Sequence, residues 1–256
     1  MAFTKQRAGA PTGFFQAEAA GLRWLAEPGV IPVVRVLGVT DDRLELERLE
    51  SAPSTPEAAR TFGAQLARLH SSGAPGFGWA PHSPAYFGPL SQPFEVPAAP
   101  RESFGEFWAE DRLRPLLEST RGQLGARGAA TVEEAVDLIA EGAYNGIAGG
   151  PAEEPARVHG DLWNGNVMWT ADGAVLIDPA AHSGHRLEDL AMLAMFGAAH
   201  LNEIFAGYES EYPMPSRWRD DIPAHQLFGL LAHVHLFGSM YTPDTVSAAA
   251  EVLHAR

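Results

Sequence analysis

Apolar positions at helical spacing open the chain. Phe15, Ala19, Leu22 and Leu25 share one face of a segment beginning at Phe14, which predicts a first helix. Ile31 to Val39 is a β-prone run with Pro32 near its start. After Asp41-Asp42-Arg43, residues 44–49 alternate apolar and charged, as a half-buried strand does. Ser51-Ala-Pro-Ser-Thr-Pro56 breaks the pattern and reads as a linker. The expected division is therefore a small α/β unit over 1–50 and a larger unit over 51–256. In the second, Ser54 and Glu57 stand at capping-box spacing before a helix that runs to about His70. Residues 73–100 are rich in Gly and Pro, with Phe77, Trp79, Tyr86, Phe87 and Phe94 interleaved. A long aperiodic stretch of this kind predicts a functional loop pinned by aromatic anchors. Helices are expected near 103–120 and 131–142, the second opened by Thr131 with Glu134 three residues on. From Leu187 the pattern is helical, with Pro-rich turns near 213–223. His225, His233 and His235 fall on apolar helix and read as core histidines.

Composition narrows the class. With 256 residues, 46% hydrophobic and 20% charged, the chain can bury a large core. Its formal charge is −14 and it has no basic run, which argues against nucleic acid or an anionic membrane surface as partner. The absence of cysteine excludes disulfides, thiolate catalysis and Cys-based zinc sites. The first residues have no apolar signal core, and no apolar run approaches membrane-spanning length. A cytoplasmic enzyme is expected, its oligomeric state left open.

The chemistry concentrates in His159-Gly-Asp-Leu-Trp-Asn-Gly-Asn166, followed by Ile177-Asp-Pro179. Between them, 167–170 and 174–177 are short β-prone runs joined by Ala171-Asp172-Gly173, which predicts a tight hairpin. That hairpin would return Asp178 beside Asn166. The order H-x-D-L-x-x-x-N and then D is the layout of a kinase catalytic loop with its metal-binding aspartate. A hydroxyl that attacks a γ-phosphoryl group needs a proton acceptor, a role suited to Asp161. Mg²⁺ arriving with ATP needs hard oxygen ligands, and Asn166 with Asp178 offers one amide and one carboxylate oxygen. His159 is expected to shape the loop rather than act as base.

Lys5 and Glu18 have the order of a kinase small-lobe pair, a strand lysine on the α/β-phosphates and a helix glutamate that holds it. No Gly-rich loop precedes Lys5, so a phosphate lid is not expected from the sequence as it stands. Downstream, Asp189 is placed to fasten the catalytic loop, His185 to face substrate, Arg186 either to face substrate or to form a helix-surface ion pair, and Trp163 either to stack on the acceptor or to anchor its own loop.

These residues resemble the fructosamine kinases (ketosamine-3-kinases), relatives of the aminoglycoside and choline kinases. The likeness rests on residues 159–166, on Ile177-Asp-Pro-Ala180 and on Gly184-His-Arg-Leu-Glu-Asp-Leu-Ala-Met192. It extends from Phe14 to Leu236-Phe-Gly238. The resemblance implies a two-lobed, α+β, protein-kinase-like fold with a mostly helical C-terminal lobe. It also implies ATP-dependent phosphorylation of the 3-hydroxyl of a free or protein-bound ketoamine, after which the product breaks down and frees the amine. By matching position Asp161 is the base, Asn166 and Asp178 hold Mg²⁺, Lys5 and Glu18 pair, and the backbone from Glu47 to Leu49 meets adenine. Asn164 and Leu187 depart from the usual serine and glutamate. Another hydroxylated acceptor, aminoglycoside- or choline-like, and a non-catalytic nucleotide-binding protein remain the alternatives.

Overall fold

The computed structural model describes residues 2–255. The chain begins with β1 (Ala2–Gln6), α1 (Phe14–Ala26), β2 (Val36–Val39) and β3 (Arg43–Glu47). The three strands form one antiparallel sheet in the order β1-β3-β2. The helical face read from the sequence is the one that packs on it: Phe15, Ala19 and Leu22 are buried with Leu44 and Leu46 from β3, while Leu25 is buried in a second core with Phe62 and Leu66. Ile31 to Arg35, expected as strand, runs extended outside β2, and Val34 N donates to Leu176 O at 3.0 Å.

The remainder is mainly helical. α2 (Pro56–His70) starts one residue later than expected, because Thr55 rather than Ser54 is the cap and accepts from Ala58 N at 3.1 Å. Two short strands, β4 (Ala85–Phe87) and β5 (Phe94–Val96), pair within the Gly/Pro-rich stretch. Phe87 anchors it against Phe228 at 4.7 Å between ring centroids. α3 (Phe104–Glu106) continues through a π-helical stretch, Phe107–Leu113, into α4 (Arg114–Ala140). The expected helix start at Thr131 is absent: its hydroxyl donates to Arg127 O within the helix, and the break falls at Gly125. The capping-box spacing there was coincidental; a positive φ at Gly125 is what interrupts the helix.

β6 (Ala156–Val158), β7 (Val167–Thr170), β8 (Gly173–Leu176) and β9 (His182–Gly184) form two hairpin-like pairs, β6-β9 and β7-β8. Four helices follow: α5 (Leu187–Met195), α6 (Leu201–Glu211), α7 (Ile222–Phe237) and α8 (Thr242–His254). α2 and α6 touch backbone to backbone. A Cβ on Gly63 would overlap Ile204 O, and one on Gly207 would overlap Arg60 O, so only glycine at both allows the approach. That contact holds α2, which carries His70, beneath the loop that follows β6.

Candidate active site

β6 delivers the chain to His159, and buried groups fix the turn after it. Asp189, on the first turn of α5 and fully buried, accepts His159 N at 2.8 Å and Gly160 N at 2.9 Å. His70 Nε2 meets the same carboxylate at 3.1 Å. Burial would raise that carboxyl; the His70 hydrogen bond and neighbouring histidines outweigh it and hold it below the usual carboxylate range. Gly160 has φ 80, and a Cβ there would overlap Ala180 O. His159 is buried, with Nε2 at 2.8 Å from Ile177 O, a loop-shaping contact.

The loop closes on Asn166. Its Nδ2 donates to Asp161 O at 2.8 Å, to Asp161 Oδ2 at 3.1 Å and to Asp178 O at 3.3 Å. All three partners are oxygens, which fixes the amide orientation and leaves Oδ1 without a hydrogen bond among the described residues. Ile177 N donates to Asn166 O at 3.1 Å, so the β7-β8 hairpin returns Asp178 to the amide. From β1, Lys5 Nζ lies 2.8 Å from both Glu18 oxygens and 3.1 Å from Asp178 Oδ1. Burial alone would lower the Lys5 ammonium, but the charges of Glu18 and Asp178 prevail and raise it. Residues from opposite ends of the sequence thus meet in one place.

Asp161 is half-buried. Loss of water pushes its carboxyl up to about 8; the Asn166 hydrogen bond lowers it, and the charges of Asp178 and Asp189 add to the rise. A carboxylate poised near neutral pH is suited to exchange a proton with an alcohol. Asn166 Oδ1 and the Asp178 carboxylate are a hard donor pair fitted to Mg²⁺ that brings its remaining ligands on phosphates and water. No cluster of three or more His, Cys, Asp or Glu residues suited to a metal occurs among the described residues.

A cavity of about 660 Å³ opens in front of these groups, within the usual range for a small-molecule site. Lys5, Glu18, Asp161, Asn166 and Asp178 line one part, and among the described residues Glu18, Asp161 and Asp178 are its only carboxylates. Elsewhere the wall is aromatic: Phe14 and Tyr86 on one side, and Phe196, Phe237 and Tyr241 around His233 on another. Trp163 reaches the cavity at 42% exposure, and a Cβ on Gly165 would overlap its indole, so the ring folds back over its own loop.

Other expected site residues are placed elsewhere. His185 is fully buried among Phe104 and His225, at 4.9 and 4.5 Å between ring centroids, and burial drives its pKa well down. Arg186 is buried beneath α6, paired with Glu153 at 2.7 Å, bonded to Tyr208 and stacked on Tyr212 at 3.7 Å. Neither lines the cavity, and the substrate role expected of both is withdrawn: the turn from β9 to α5 buries them in the interior. Glu47 and Leu49 also lie outside the cavity lining, where the chain leaves β3. Glu47 N and Oε1 both bond Arg35, and Leu49 packs against the small-lobe core around Leu44 and Leu46. Of the three helix histidines read as core, only His225 is buried; His233 lines the cavity and His235 faces outward. Arg112 and His182 also line the cavity and were not anticipated.

The sequence model of the fructosamine kinase family matches residues 2–255. A Thermus thermophilus protein named as a probable ketoamine kinase is 36% identical over 232 residues, 90% of this chain and 79% of its own. The crystal structure of a Thermobifida fusca protein, provisionally named a fructosamine-3-kinase, superposes with a TM-score of 0.89. It is 42% identical and the match covers 99% of this chain and 85% of that one. A choline kinase from Streptococcus pneumoniae matches with a TM-score of 0.58 at 15% identity, over 100% of this chain and 86% of its own. That last likeness speaks for the kinase-like fold alone.

Proposed function

Because the chain belongs to the fructosamine kinase family, whose members are phosphotransferases acting on hydroxyl groups, we propose that it moves the γ-phosphoryl group of ATP to the 3-hydroxyl of a ketoamine. The product then breaks down and frees the amine, a deglycation. The observation that carries this reading is the meeting of Lys5, Asp161, Asn166 and Asp178 around one cavity. Asp161 orients the acceptor hydroxyl and takes its proton as the oxygen attacks. Lys5, held by Glu18, pairs with phosphate oxygens. Asn166 and Asp178 would hold Mg²⁺, which when bound supplies charge neutralisation on the phosphates. Residues 1–50 would serve as the nucleotide-side lobe and 51–256 as the helical lobe. Trp163 would cover the acceptor sugar. ATP as co-substrate argues for the cytoplasm as the place of work.

The lining also bears on the choice of acceptor. An aminoglycoside, a polycation, calls for acidic groups beyond the catalytic ones, and the cavity offers only Glu18, Asp161 and Asp178. A coupled ADP-release assay with Mg·ATP, run over fructose and ribulose adducts of amines, kanamycin and choline, tests the proposal. Turnover confined to the ketoamines is the expected result. Turnover of kanamycin or choline with none on any ketoamine overturns it.

A further inference from the structure

The phosphoryl-transfer chemistry leaves one charge in the cavity unused. Only Lys5 and Arg112 among the lining residues are permanently cationic, and Lys5 is already matched by Glu18 and Asp178. Arg112 belongs to the π-helical stretch before α4 and is 3% exposed, yet it lines the cavity, and its other side borders a smaller hollow beside Pro97 and Pro115. Its Nη1 donates to Pro97 O at 3.0 Å and Asp111 O at 3.3 Å, while among the described residues Nε and Nη2 have no acceptor.

The acids that could satisfy it are taken. Asp111 is gripped by Arg101, Nε to Oδ2 at 2.9 Å and Nη2 to Oδ1 at 2.8 Å. Glu188, whose charge also reaches Arg112, is held by His182 at 2.9 Å and by His185 N at 2.6 Å. The Arg112 guanidinium instead lies on the Phe107 ring, 4.7 Å from its centroid. Burial lowers its pKa to about 10, so it remains charged at neutral pH. A buried cation is costly when its neighbouring acids are bonded to other partners, and two carbonyl contacts, both through Nη1, leave its Nε and Nη2 unmatched. The spare edge, Nε with Nη2, is the edge Arg101 uses on Asp111, and it matches two carboxylate oxygens side by side.

Its place relative to the reaction follows from contacts. A Cβ on Gly160, next to Asp161, would lie 2.8 Å from His182 Nδ1; the His182 ring is 5.6 Å from Phe107, which carries Arg112 on its face. Arg112 makes no hydrogen bond or ion pair with Lys5, Glu18, Asn166 or Asp178, the set proposed to face the nucleotide. We infer that Arg112 binds a carboxylate on the amine portion of the acceptor, so that among ketoamines those with a free carboxylate are favoured over their amides. This rests on the ketoamine reading above and specifies it.

The test compares each acid with its own amide. Ribulose and fructose adducts of glycine, β-alanine, 4-aminobutyrate and 6-aminohexanoate, and of the corresponding amides, are assayed with the wild type, Arg112→Met and Arg112→Lys. At the spacing that reaches Arg112, the wild type should favour acid over amide in kcat/KM by about 100-fold, and Arg112→Met should bring that ratio to within about threefold of unity. Arg112→Lys, which keeps the charge, should retain part of the preference. Because the readout is a ratio, partial misfolding of a variant cancels. An acid-to-amide ratio near one at every spacing in the wild type overturns the inference and leaves the kinase reading intact. So does an Arg112→Met variant that slows acids and amides equally, which would mark the arginine as a packing element. Failure to turn over any ketoamine overturns the functional reading, and this inference with it.

Discussion

Two walls of the cavity are built on different principles. The wall with Asp161, Asn166 and Asp178 is a polar network of short hydrogen bonds. Each of its turns is tied to another, and Asp189 anchors them from beneath. The aromatic wall gathers Phe196 after α5, His233 and Phe237 on α7 and Tyr241 beyond it through ring contacts of 4.9 to 5.4 Å, with Phe237 53% exposed. Removing a partner from the first leaves a buried polar group unsatisfied, whereas changing a ring in the second reshapes a surface that water already reaches. The first wall is therefore suited to fixed chemistry and the second to choosing the acceptor.

Substitutions can sharpen or break that contrast. The largest effect is expected from Asp161→Ala, which should lower kcat by about 10²–10⁴-fold, the usual contribution of a positioned base. Nucleotide affinity, read by fluorescence titration, should stay nearly unchanged; an equal loss in both would place Asp161 on the nucleotide instead. Next comes Asp189→Ala, which strands His159 N, Gly160 N and His70 in the interior and should cost about 3–5 kcal/mol in urea unfolding. A cost near zero would mean the loop is anchored elsewhere.

A smaller effect is linked to pH. His185 is held neutral by burial, with its folded pKa well below the ordinary 6.5. The unfolded chain therefore takes up this proton first. The stability is fully present above pH 6.5 and is lost as pH falls below it. Relative to His185→Phe, the wild type should lose about 1 kcal/mol of unfolding free energy between pH 7 and 5.5. A difference independent of pH would contradict that. The smallest effect belongs to the aromatic wall: Phe237→Ala should raise acceptor KM roughly threefold with kcat nearly unchanged, the signature of lost uniform binding. A large fall in kcat would erase the distinction between the walls.

The two walls also differ in how well the sequence reveals them. Asp161, Asn166 and Asp178 lie on one loop and one hairpin, so local spacing and an Asp-Gly turn suffice to bring them together. Lys5 and Glu18 followed from strand and helix order. His185 and Arg186 were misplaced because nearness along the chain to Asp178 was read as nearness in space. The turn between β9 and α5 in fact buries both side chains. Arg112, His233 and Tyr241 belong to helical or π-helical segments whose facing partners are set by tertiary packing, and no local pattern separates a cavity-lining His233 from a buried His225. The helix break at Gly125 escaped for a related reason, since a glycine within an Ala- and Gly-rich run carries no unambiguous stop signal.

The central claim is transfer of phosphate to a ketoamine hydroxyl at the cavity carrying Asp161. The most direct measurement is phosphorus and carbon NMR of the product formed from Mg·ATP and a ribulose or fructose adduct. A phosphomonoester coupled to sugar C3, formed one for one with ADP and absent with Asp161→Ala, is the predicted result. ADP released without any sugar phosphomonoester, or a phosphomonoester formed equally well by Asp161→Ala, would contradict it.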